Sequence, residues 1–128
     1  MRAYADLPAG ERAGRHTARA EALTALGEPS QRLGAIPYHL EHGIDPVGVG
    51  GAALTAACDD CFDLGCYEAT LELAMRGREL VAAASKQEPY WNFTNKVGAC
   101  LSYLKGGSKG FAYFDEAAQD HYEFLTFT

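Results

Sequence analysis

The 128-residue chain has no long apolar stretch, few cysteines, almost no strand-forming pattern and no basic surplus, and each shortage excludes a class of protein. No uninterrupted apolar run approaches the roughly 18 residues that a membrane helix needs. The start, from Met1 to Pro8, lacks the apolar core of a signal peptide, so no membrane association and a cytoplasmic location are expected. The four cysteines, Cys58, Cys61, Cys66 and Cys100, are too few for a disulfide scaffold in a chain long enough to bury its own core, and they are expected to be reduced thiols. The formal charge is −6. Residues 1–42 carry five basic and five acidic side chains and cancel, whereas residues 43–128 carry six basic against twelve acidic. That balance repels phosphate backbones and speaks against direct nucleic-acid binding.

What is present is helical periodicity. Alanine and leucine recur at three- and four-residue spacing, and no alternating β-branched run is bounded by tight-turn dipeptides. A first helix is expected from near Pro8, turning Ala13, Ala20, Leu23 and Leu26 inward until Gly27 stops it. A second takes Leu33, Ile36 and Leu40 inward, with Pro37 placed to kink it, and ends at His42 and Gly43. Asp45 and Pro46 can open a third, although Gly48, Gly50 and Gly51 each cost about 1 kcal/mol against alanine in a helix interior. Its clean part runs from Ala52 to Leu64, with Gly65 as the stop. A fourth helix is expected over Tyr67–Ala84 and a fifth over Trp91–Leu104, separated by a break ending at Pro89. A turn at Gly106, Gly107 and Ser108 precedes a sixth carrying Phe111, Phe114, Ala117 and Ala118. Six helices make three hairpins. Length fits one domain over residues 1–128, with an N-terminal hairpin over 1–43 and two hairpins over 44–128.

In the second of these segments, Cys58 and Cys61 supply a small and a larger apolar residue one turn apart, and Gly65, Cys66, Tyr67, Glu68 and Ala69 form a turn into the next helix. Gly98 and Leu101, then Gly110, Phe114 and Ala117, repeat the pattern. The stretch Ala52–Ala118 thereby resembles tetratricopeptide repeats, with Thr70 where alanine is usual and Lys105 in place of the turn glycine. Gly65 and Lys105 lie 40 residues apart, longer than the standard repeat of about 34. The resemblance implies an all-α fold: antiparallel helical hairpins stacked as a short right-handed solenoid of about six helices.

Near the front, Tyr4 to Arg12 followed by Ala35 to Gly43 look like the phrases that follow the ATPase core in large actinobacterial signalling ATPases and LuxR-type transcriptional regulators. That second resemblance implies the start of a helical sensor arm, separate from the nucleotide-binding and DNA-binding parts, with a role in signalling or transcription regulation. The aromatic ending, with Phe124, Leu125 and Phe127, is a poor polar cap and is expected to be covered, by self-association or by further repeats.

Candidate sites divide between chemistry and packing. Cys58 and Cys61, with Cys66 nearby, have the spacing of a zinc or redox pair, but they fall on one helix face where small apolar residues are needed, and no second CxxC or paired histidines complete a structural zinc set. Packing is the preferred reading, with no metal and no cofactor expected. His39 and His42 suit a C-terminal helix cap, and His16 and His121 have no nucleophile at motif spacing. Asp59, Asp60, Asp63 and Glu68 read as a solvated face. Gly106 to Gly110 lacks phosphate-loop spacing and a preceding strand, as does Gly48 to Gly51.

The fifth helix concentrates aromatic area at Tyr90, Trp91, Phe93 and Tyr103. Tetratricopeptide grooves are lined mainly by the first helix of each hairpin, so Trp91, Asn92, Asn95, Lys96 and Ser102 are the expected contacts to a protein or peptide partner. No catalytic set assembles. The expectation is a non-catalytic interaction or regulatory scaffold, with a metal or redox protein using Cys58 and Cys61, or a small-molecule sensor, as alternatives.

Overall fold

A computed structural model describes residues 7–84 and 87–105. Among them the chain is all-helical, without a strand, and carries five α-helices: α1 (Ala9–Leu26), α2 (Ala35–Glu41), α3 (Gly51–Asp63), α4 (Tyr67–Ala82) and α5 (Glu88–Lys105). The expected sixth helix lies outside the described residues. The chain divides into two compact units, Met1–Ala57 and Cys58–Thr128, with the boundary inside α3.

In the first unit, Pro8 precedes α1 and Gly27 ends it in the left-handed region, φ 70°, where its amide donates to the carbonyl of Thr24. One turn of 3₁₀ helix, Pro29–Leu33, leads to α2. Because α2 starts only at Ala35, Pro37 sits buried in its first turn, where an amide has no intrahelical partner to lose. Ala20, Leu23 and Ile36 form the core, with Ala35 and Leu40 against it. Leu26, expected inward, is 72% exposed. Three-residue steps fall about 60° short of a full helical turn each time, so the third member of the series Ala20, Leu23, Leu26 has drifted off the buried face.

After α2, Ile44 donates its amide to Thr17 Oγ1 of α1 at 3.0 Å. Asp45 then caps a single π turn, Pro46–Gly50, by accepting from the Gly48 amide at 3.2 Å. The glycines that made this start uncertain serve close approach. Gly50 is buried with its α-carbon so near α2 that a β-carbon would stand 2.8 Å from both the Glu41 α-carbon and the Leu40 carbonyl oxygen.

In the second unit, α3 stops at Gly65, φ 78°, where the Gly65 amide donates to Phe62 and the Cys66 amide to Cys61, satisfying two terminal carbonyls. Helix α4 begins two residues later, at Tyr67. It runs antiparallel to α5: Gly77 of α4 lies against Phe93, Arg78 donates to the Tyr90 hydroxyl at 2.9 and 3.2 Å, and Tyr67 meets Tyr103 at the opposite end. The core between them contains Leu73, Ala74, Val81, Tyr90, Trp91, Phe93, Val97 and Cys100. Thr70 is fully buried and returns its hydroxyl proton to the Cys66 carbonyl at 2.8 Å, which lets a polar residue occupy an apolar site without an unmet donor.

Candidate functional site

One stripe of α5 remains outside the core. Asn92 and Asn95 are exposed and Lys96 and Ser102 half-buried, at spacings of three, four and seven that place them on one helix face. Trp91, expected on this face, is 5% exposed and belongs to the core. It shares its face with Thr94 and Gly98, three and seven residues on, which are also buried. Periodicity alone does not exclude Trp91, which stands four residues before Asn95 and eleven before Ser102; its burial in the core between α4 and α5 is what removes it from the exposed stripe.

Lys96 is held rather than free. Its Nζ lies 3.2 Å from Asp59 Oδ1 of α3 and 4.5 Å from the centroid of the Phe62 ring, combining an ion pair with a cation–π contact. A little further along, the Tyr67 and Tyr103 rings stack at 4.3 Å and 7°, with Phe62 edge-on to both at 5.4 and 5.9 Å. Tyr103 is 63% exposed. Ser102 donates its hydroxyl to the Gly98 carbonyl at 3.1 Å, leaving its oxygen as an acceptor. The face on the second unit is therefore an amide and lysine stripe beside a three-ring aromatic cluster. Asp59, Phe62 and Tyr67 were missed as parts of it in the sequence, where only the expected adjacency of first helices could have pointed to Asp59 and Phe62.

The cysteines behave as packing residues. Cys58, Cys61 and Cys100 are buried and Cys66 is exposed. Burial first, and the neighbouring Asp59 second, push the Cys58 thiol up to about 12, while its S–H points at the Thr70 carbonyl at 3.9 Å. Burial also raises Cys61, with Cys66 and Asp60 adding to it, and raises Cys100 against the opposing pull of Lys96. The reactive and metal-binding form of cysteine is the thiolate, which this environment disfavours. Among the described residues no group of three or more histidine, cysteine or carboxylate side chains converges as a metal site.

The first unit carries two further features. His42 Nδ1 donates to the Tyr38 carbonyl at 2.8 Å, so it caps the last turn of α2. His16 of α1, by contrast, meets His39 of α2 with Nδ1 to Nδ1 at 2.8 Å, a pairing across 23 residues that no local spacing announces. A mainly apolar cleft of about 420 Å³ is lined by Leu23, Pro29, Ile36, Pro37, Ala53 and Ala56, with Arg32 and Glu28 also contributing.

No family model, no curated protein and no solved structure matches the chain. Among the described residues no helix is long and apolar enough to cross a membrane.

Proposed function

We propose that the chain is a non-catalytic interaction module of the tetratricopeptide kind, cytoplasmic and part of a larger regulatory or signalling system, which takes a peptide segment of a protein partner along α5 and the end of α3. The carrying observation is the placement of Asp59 and Phe62 of α3 beside Lys96 and Tyr103 of α5, with α4 returning between them in sequence. First helices of successive hairpins side by side are what a repeat groove requires, and a right-handed stack completed by a sixth helix extends the same geometry. Asn92 and Asn95 offer paired donors and acceptors to an extended backbone, and Phe62 with Tyr103 offers apolar area at low entropic cost. The acidity of residues 43–128 keeps nucleic acid away. Self-association through Phe124, Leu125 and Phe127, which lie outside the described residues, is a second mode for the same scaffold.

Selection of peptides from a displayed library on the full chain, followed by the N92A/N95A double variant, tests this reading. Selected peptides should bind with micromolar affinity and lose about tenfold, equivalent to roughly 1.4 kcal/mol, in the double variant at unchanged helicity. Peptides that bind the variant equally well, or a library yielding no binder, would remove the α5 face from consideration.

The cleft of the first unit favours a second reading, a small-molecule sensor. Its size falls within the range of roughly 300–1,000 Å³ typical of ligand sites, and its walls are apolar. A thermal-shift screen with apolar metabolites checks it: a ligand of the folded state raises the melting temperature, and an Ala53→Phe filling of the cleft should abolish the rise.

A further inference from the structure

Two imidazole nitrogens 2.8 Å apart can form a contact only when one proton lies between them. With none, two lone pairs face each other; with two, two N–H groups do. We propose that the His16–His39 pair is a proton-operated latch on the α1–α2 junction, closed while the pair shares one bridging proton and opened when both rings become cations. The first added proton is tolerated, because a charged ring donating to a neutral one keeps the bridge. The second leaves two like charges at hydrogen-bond distance.

The surroundings make that second proton costly and give its release a direction. His42, which caps α2, lies 5.5 Å from His16 between ring centroids and Tyr38 of α2 6.0 Å, so the latch sits in an aromatic cluster drawn from both helices and the cap. Burial lowers His39 first, then the charges of His16, Arg19 of α1 and His42; burial and His42 lower His16. Glu41 is a nearby carboxylate, 3.7 Å from His42 Nδ1. Because both folded-state values lie below the ordinary 6.5, the folded chain holds fewer protons than the unfolded chain in mild acid. The stability the pair contributes is complete above pH 6.5 and is lost as pH falls through the folded-state values. Opening would free α2 from α1 next to the Thr17–Ile44 hydrogen bond, and α1 and α2 also supply Leu23, Ile36 and Pro37 to the apolar cleft.

Histidine ring resonances of the full chain, followed by NMR from pH 8 to 4.5 with EDTA present, test the latch. Two coupled steps below 6.5, separated by about one unit or more, are expected for His16 and His39. In His16→Asn the remaining His39 should titrate in a single step nearer its ordinary value. Hydrogen exchange at the Ile44 amide and in α2, corrected for intrinsic rate, should accelerate in acid in the native chain and lose that acid dependence in His16→Asn and in His39→Asn. The native melting temperature should fall by roughly 3–6 °C more than that of either variant between pH 7.5 and 5. Independent single-step titrations of the two rings, or exchange at Ile44 with the same acid dependence in native and variant chains, would overturn the proposal. If one variant fails to fold, the other with the native titration still decides.

Discussion

Phe93 on α5 occupies the space that a side chain at Gly77 on α4 would need, its ring carbons lying closer to the ideal β-carbon position than real contacts allow. Gly77 is buried in the middle of a helix, where glycine ordinarily costs about 1 kcal/mol against alanine. Close packing against the ring is what offsets it. Gly77→Ala should therefore destabilise the chain by about 1–2 kcal/mol, the net of overpacking and improved propensity. In a Phe93→Leu background the same change should become neutral or stabilising. A double-mutant cycle from urea unfolding gives the sign, and an unchanged sign would mean that the contact does not set the cost.

Gly50 meets main chain instead of a ring. A β-carbon there would face the Glu41 α-carbon and the Leu40 carbonyl, neither of which can rotate away. Gly50→Ala should cost about 2–3 kcal/mol, and Gly48→Ala less, because the obstructing atoms at Gly48 belong to the movable Asp45 carboxylate. Thermal melts of the two variants check the ranking.

Trp91 and its neighbour Asn92 should separate sharply in mutagenesis. Trp91→Ala removes a side chain buried in the α4–α5 core and should cost about 3–5 kcal/mol, while Asn92→Ala and Asn95→Ala should stay within about 0.5 kcal/mol. Tryptophan emission should be blue-shifted in the folded chain and move to the red on denaturation, since Trp91 is the only tryptophan.

The thiols give a kinetic count. In the native chain one thiol, Cys66, should react quickly with a disulfide reagent at pH 8, and all four should react after denaturation. Alkaline stability follows with a definite sign. The folded Cys58 keeps its proton to about 12 against an ordinary 9.0, so its contribution is complete below pH 9 and declines as pH rises toward 12. Unfolding free energy should fall with a slope of up to about 1.4 kcal/mol per pH unit for this group, and Cys58→Ala should flatten the slope measured by urea unfolding between pH 8.5 and 10.5.

Helix positions and stops were legible because they are local. Gly27 and Gly65 end α1 and α3 in the left-handed region as their places after apolar-periodic runs predict, and Tyr67 opens α4 as read. The start of α2 is later than periodicity suggests, because Leu33 belongs to the 3₁₀ turn that ends before Gly34 and of the two only Ile36 lies in the helix. On α5, Asn92, Asn95, Lys96 and Ser102 are polar residues that the sequence sets apart from packing, whereas the burial of Trp91 depends on the helix packed against it and is not encoded in local spacing.

The sequence by itself determined the all-helical character of the described residues and the breaks between helices, since capping, proline and glycine effects act within a few residues. Only the tertiary structure decided that His16 finds His39, that Lys96 is shared between Asp59 and Phe62, and that the packing boundary falls after Ala57 inside a helix. Those outcomes depend on which faces of distant segments exclude water together, and no local pattern encodes that choice.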